Sequence, residues 1–313
     1  MRDRLPPCAG WWWGLVLLTI VRLVLAACIP LSPDEAYYRI WALAPAWGYL
    51  DHPPMVAVWA RMGMFFAGDT ALGVRLMGPV STGVASVLIV QSAWRWLQGQ
   101  MAPEQVRVAG LRAGLLFNGT LGVGLGTLVM TPDAPALFFV ALLLWGLVHA
   151  CIGQRRGMWL VVGLAAGLGF ESKYTVLLPL AGLGLWLLAT KEGRLWLRTP
   201  WPFYAGGIAL VCAAPVIWWN AGHGWVSFFK QGGRVGDWTP AHAPAFMAEL
   251  LGGQVGLASP LVFIFFVGGV WLLWRRRSGF AALLLCMVLF PAAVFVQHAL
   301  GARVQANWPV VLY

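Results

Sequence analysis

Long apolar runs divided by short polar breaks make up nearly the whole chain. Stretches near the length of about 20 residues that a span requires fall at 11–31, 71–97, 107–128, 133–151, 158–171, 174–190, 201–219, 253–274 and 279–297, and a further run begins near Trp308. The pattern predicts an all-α polytopic membrane protein with about nine to ten spans, as a single domain over residues 1–313 with no soluble module. Two breaks are longer than the others. The first covers 32–70 and the second 220–247. Inside the first, MVAVWARMGMFF at 55–66 is too short to span and amphipathic, so it is expected to lie along the membrane surface with Arg61 on the wet side.

Composition supports this class and removes others. The 313 residues are 60% hydrophobic with 20 tryptophans, far from soluble domains. A formal charge of +10 raises the question of nucleic acid, but the basic residues sit singly between apolar runs and not on one polar face, so they report orientation in the bilayer. Cys8, Cys28, Cys151, Cys212 and Cys286 make no CxxC and no metal-ligand spacing, which indicates neither a zinc site nor a disulfide framework. Leu25-Ala26-Ala27-Cys28 resembles a lipoprotein cleavage site, but Arg22 interrupts the apolar stretch before it and further spans follow, so a retained first helix is expected.

With the N-terminus placed in the cytoplasm, Arg-rich breaks fall inside, at Arg95, Arg107, Arg112, Arg155, Arg156, Lys191, Arg194, Arg198 and Arg275 to Arg277. Most acids then fall outside: Asp34, Glu35, Asp51, Asp69, Asp133, Glu171, Asp237 and Glu249, against Asp3, Glu104 and Glu192 within. Lys173, Lys230, Arg234 and Arg303 join them, with His52, His223, His242 and His298. The chemistry is therefore expected at the outer interface.

Each cluster there has a structural reading beside a chemical one. Ser32-Pro33-Asp34-Glu35 reads as a helix start whose acids favour the dipole, or as a carboxylate that serves as general base towards a hydroxyl. Asp51-His52 before Pro53-Pro54 reads as an ordinary stiff loop, or as a pair that holds a divalent cation or shares a proton. Thr131-Pro132-Asp133 suits a helix cap and adds a third outer carboxylate. In Glu171-Ser172-Lys173, a glutamate and a lysine at membrane depth either satisfy each other or leave Lys173 as the cation for a phosphate. The second long break combines aromatics with Lys230, Gly-Gly and Arg234, which suits either a flexible amphipathic loop or an anionic ligand.

SPDEAYY, WGYLDHPPM, TPDAPALFF, GLGFESKYT and WWNAGHGW, in this order and followed by QANWP at 305–309, resemble the bacterial glycosyltransferase family 39 membrane enzymes, relatives of the dolichyl-phosphate-mannose protein mannosyltransferases and of the aminoarabinose transferase that modifies lipid A. The resemblance spans Ser32 to Pro309 and implies a GT-C multi-helix bundle in a bacterial inner membrane, with a periplasmic site. It implies inverting transfer of a sugar from a polyprenyl-phosphate donor to a hydroxyl acceptor on lipid, glycan or protein. Residue by residue it makes Asp34 the catalytic carboxylate, with Glu35 the less favoured choice, and Asp133 a second carboxylate. Asp51, with His52, falls at a metal or acceptor site, and Lys173 and Arg234 fall at the donor phosphate. Two departures stand out: Glu171 occupies a position where the family carries an apolar residue, and the run that starts near Trp308 is cut at Tyr313, as expected of a shortened member or a piece. The competing class is a transporter or flippase for lipid-linked glycans. Such proteins carry charges near the midplane and show repeated halves, whereas these spans are nearly free of charge and show no repeat. A non-catalytic shortened relative that only binds lipid-linked glycans is the second alternative.

Overall fold

The computed structural model describes residues 9–233, 238–276 and 278–312. Among them the chain is helical throughout and forms no strand. Helix α1 (Ala9–Cys28) stops before Pro30. Pro33 opens α2 (Pro33–Leu43), where the Ser32 hydroxyl accepts from the Glu35 N–H and the Glu35 carboxylate accepts from the Ser32 N–H, a reciprocal cap. Helix α3 (Met55–Ala67) ends at Gly68, whose φ of +71° a β-carbon would resist. Helices α4 (Ala71–Arg75) and α5 (Met77–Leu97) follow almost in line, and then come α6 (Pro103–Gly119), α7 (Leu121–Gly124), α8 (Asp133–Cys151) and α9 (Met158–Phe170).

The second half contains α10 (Leu177–Ala189), α11 (Lys191–Leu197), α12 (Trp201–Gly222), α13 (Val226–Gly233), α14 (Ala243–Ala258), α15 (Pro260–Arg276) and α16 (Gly279–Ala299). Segment 55–66 forms the expected short helix, α3. It buries Val56, Trp59 and Ala60 and uses Arg61 to cap the Ala42 carbonyl at 2.9 Å.

Two expected spans are broken. The run at 107–128 divides at Thr120, whose hydroxyl accepts from the Val123 N–H and starts α7. The run at 253–274 bends by 104° at Ser259, which has φ +66°, because Pro260 cannot continue the helix before it. By length and composition, five helices among the described residues suffice to cross a membrane, or seven if each bent pair counts as one span, against the nine to ten read from the apolar runs. Their outer faces carry exposed Leu17, Leu210, Val211, Trp218 and Ile264, as a hydrocarbon solvent demands.

Small residues set the closest approaches. Helices α9 and α12 make the most extensive contact in the bundle. A β-carbon at Gly163 would lie 2.4 Å from the Ala205 carbonyl oxygen, and one at Gly167 2.5 Å from the Cys212 β-carbon. Two aromatic-rich cores result. Leu143, Leu147, Trp159, Trp186 and Leu283 fill one end, and Tyr38, Trp41, Trp59, Met130 and Phe139 lie beneath the first long break.

Candidate functional site

The two long breaks meet and are stitched together. Tyr49 stacks on Trp41 at 4.1 Å, and its backbone carbonyl accepts from the Ser227 hydroxyl of α13 at 2.7 Å. Gln231, one turn along α13, donates to the Asp51 carbonyl at 2.7 Å. Asp51 itself pairs with Lys230 and accepts from the Tyr37 hydroxyl at 2.9 Å. Burial alone would raise the Asp51 carboxyl, but the hydrogen bonds from Lys230 and Tyr37 outweigh it and hold its pKa below the usual carboxylate range.

Across from this wall, Lys173 is buried with its ammonium 2.6 Å from Asp133 and 3.2 Å from the Asn307 carbonyl. Asn307 returns a hydrogen bond to the other Asp133 oxygen at 3.0 Å. Glu171 is not the partner of Lys173. It accepts the Val216 N–H of α12 at 3.2 Å, one residue after Pro215, a position where the proline ring disturbs the helix ladder and releases that donor. Asp133 does not cap α8 either, since no side chain bonds to that helix start, and its carboxylate is committed to Lys173 and Asn307.

Asp34, Asp51, His52, Asp133 and Lys173 line one cavity of about 260 Å³, closed by Tyr37, Tyr38, Asn307 and Trp308. Asp34 is exposed and, among the described residues, makes no side-chain hydrogen bond or ion pair. Its neighbour Glu35 is fully buried and absent from that lining. Arg75 donates to its two oxygens at 2.5 and 2.6 Å, and the N–H groups of Ser32 and Met130 add bonds at 2.9 and 3.0 Å. Arg75 also grips the carbonyls of Ala26, Ile29 and Pro30 at the end of α1. Burial would raise the Glu35 carboxyl, but these donors prevail and hold it low. Glu35 is thus a structural anion, in contrast to the place given it beside Asp34.

Arg234 lies outside the described residues. Asp51 and His52 fit a metal poorly in this arrangement: the Asp51 oxygens face an ammonium and a phenol, and among the described residues no three His, Cys, Asp or Glu side chains converge. The sequence reading missed Arg75, Asn307, Tyr37 and the pairing role of Lys230. Arg75 was detectable as an ionised residue inside a predicted span, which calls for a buried partner, and Asn307 sits within the QANWP stretch.

The cleft is not isolated. Lys173, His52 and Trp308 also line a second cavity of about 240 Å³, and Phe295 is shared between that cavity and an apolar groove of about 560 Å³ among α14, α15 and α16.

Known proteins resemble this chain in sequence and in fold. The chain is 29% identical over 285 residues to the lipid A galacturonosyltransferase RgtD of Rhizobium johnstonii, covering 90% of this chain and 58% of that protein. It is 28% identical over 187 residues to the undecaprenyl phosphate-alpha-4-amino-4-deoxy-L-arabinose arabinosyl transferase 1 of Sodalis glossinidius, covering 53% of this chain and 32% of that one. The fold matches the crystal structures of ArnT from Cupriavidus metallidurans, bound to undecaprenyl phosphate and in the apo state, each with a TM-score of 0.74 and 18% identity. Each match covers 97% of this chain, with 58% and 57% of the ArnT chain. The chain therefore spans less than two thirds of the relatives it matches. The family model for dolichyl-phosphate-mannose-protein mannosyltransferases matches residues 51–219, more than half of the sequence and a stretch that includes Asp51, His52, Asp133 and Lys173 of the cleft, and the chain belongs to that family.

Proposed function

We propose that the protein transfers a sugar from a polyprenyl-phosphate carrier to a hydroxyl of a membrane-held acceptor, with inversion at the anomeric carbon. The observation that carries this reading is the asymmetry of the cleft: among the described residues Asp34 makes no side-chain hydrogen bond or ion pair, while Asp51, Asp133 and Lys173 in the same cavity are paired. Asp34 takes the proton of the acceptor hydroxyl. The freed oxygen attacks the anomeric carbon from the face opposite the phosphate. The carbon–oxygen bond to phosphate then breaks, leaving the electron pair on the phosphate oxygen beside the Lys173 ammonium. Asp133 and Asn307 hold Lys173 in place, and Glu35 holds α2 so that Asp34 is presented to the cleft.

The apolar groove supports a prenyl chain on the donor. A long aliphatic tail has its natural place among Leu251, Phe263, Val267 and Phe295, adjacent through Phe295 to the compartment that Lys173 lines. The names of the two curated relatives direct the first trials to a galacturonosyl or aminoarabinosyl donor and a lipid A acceptor. The site is assigned to the periplasmic side of a bacterial inner membrane with the N-terminus cytoplasmic, and α3 to the membrane surface, from the split between acidic and arginine-rich breaks.

The test is reconstitution in vesicles with a labelled polyprenyl-phosphate sugar and a lipid A precursor. Protein-dependent formation of glycosylated acceptor is expected, with opposite anomeric configuration in donor and product. Movement of intact donor across the bilayer without bond cleavage would replace this reading with the transport alternative.

A further inference from the structure

The other end of the bundle holds a second site of different character. There α5, α8, α10, α11 and α16 surround a cavity of about 510 Å³ that shares no residue with the cleft or its neighbouring cavity. Its floor is aromatic, built from Trp96, Trp186, Trp196 and Phe280. The floor is fixed: Trp186 donates its indole N–H to the Gly279 carbonyl at 2.9 Å, and Trp96 packs on Phe280 at 5.7 Å. Helix α11 turns 94° from α10 and so runs across the end of the bundle, where Lys191 and Arg194 share its surface with an exposed Leu195.

The rim is cationic. Arg156 lines the opening, and Arg276 stands over the Trp96 ring at 5.6 Å while donating to Gln100 at 3.1 Å. Arg155, Lys191, Arg194, Arg198 and Arg275 are exposed nearby in the same set of breaks. Among the described residues Glu192 is the single carboxylate in the lining, and its side chain is packed over Gly279, where a β-carbon would come within 2.6 Å of it. The hydroxyls of Thr199 and Ser278 are already used by the backbone around them.

An aromatic floor under an arginine rim, at the boundary of a bundle with lipid-facing helices, has the chemistry of an acidic lipid headgroup. Guanidinium forks match phosphate oxygens, indole rings favour the headgroup level, and basic pockets between spans hold anionic lipids. We propose that this cavity binds the headgroup of one anionic phospholipid, with Arg156 and Arg276 on its phosphate and the tryptophan floor under its glycerol backbone. The site is separate from the proposed transfer reaction.

The experiment uses the full chain in detergent, titrated with dioctanoyl-phosphatidylglycerol or dioctanoyl-phosphatidylcholine and read by native mass spectrometry. One saturable phosphatidylglycerol is expected, bound about tenfold or more tightly than phosphatidylcholine. The pair Arg156→Gln with Arg276→Gln should remove that preference. Arg303→Gln, in an exposed ion pair with Glu249, should keep it. Thr199→Trp fills the cavity without altering charge and should block the bound lipid, so it decides the matter if the arginine double variant fails to fold. Equal binding of the two lipids overturns the proposal, as does undiminished phosphatidylglycerol binding in the double variant or in Thr199→Trp.

Discussion

Asp34 and Glu35 are adjacent, carry the same charge and share the first turn of α2, yet one is exposed and the other fully buried. Glu35→Gln keeps the shape of the side chain and removes the charge that faces Arg75. Arg75 would keep its three carbonyl acceptors but would remain an uncompensated charge, with its side chain 3% exposed. Breaking a buried pair of this kind costs about 3–5 kcal/mol, and the Ser32 and Met130 N–H groups also lose an anionic acceptor. A large fall in the thermal midpoint of the purified protein is therefore expected. Asp34→Asn touches no partner among the described residues, so its effect on stability should stay within about 0.5 kcal/mol. Loss of a general base should instead lower transfer by about 100- to 10,000-fold. The assay measures both quantities on both variants: thermal unfolding by fluorescence-detected gel filtration, and transfer by the folded fraction. A Glu35→Gln protein that melts like the wild type but has lost transfer would refute the reasoning and move the catalytic role to Glu35.

The remaining clusters give sharper contrasts. Lys173→Met leaves Asp133 buried with Asn307 alone and should destabilise by about 3–5 kcal/mol. Adding Asp133→Asn should restore most of that stability without restoring transfer, a double-mutant cycle that separates folding from donor binding. Gly167→Leu must push α9 from α12, where a β-carbon already meets Cys212 at 2.5 Å and the Ala209 carbonyl oxygen at 2.7 Å; a cost of about 1–3 kcal/mol or more is expected in denaturation. Asp51 has a pKa lowered in the folded protein, so its contribution is present above the ordinary carboxylate value and is lost as pH falls through about 4 and below. Hydrogen exchange over 226–231 should accelerate in that acidic range, and Asp51→Asn should produce the same acceleration at neutral pH.

How much of this was legible in the sequence follows from what apolar runs and local spacings record. They record which segments avoid water, so the helices over 133–151, 201–219 and 279–297 appear close to where expected. They record breaks poorly when a break is a single backbone event: Thr120 with its cap and Ser259 with its positive φ each divide a run that reads as continuous. Partnerships across sequence distance are not recorded at all. Glu171 and Lys173 look paired because they are neighbours, but the turn after α9, with Lys173 in an extended conformation, brings Lys173 to Asp133 and Asn307, 40 and 134 residues away, while Glu171 turns to the N–H that Pro215 frees. The Asp34 and Glu35 ambiguity has the same origin. Successive residues on a helix point about 100° apart, so the two do not share one environment, and the acidic pair by itself does not say which faces inward. Arg75 resolves it: an arginine within a predicted span requires a buried anion, and the reciprocal cap with Ser32 already turns Glu35 towards the helix start where Arg75 arrives. Once that pair is closed, Asp34 is, among the described residues, the carboxylate of the cleft without a partner, and the role of base proposed for it rests on that.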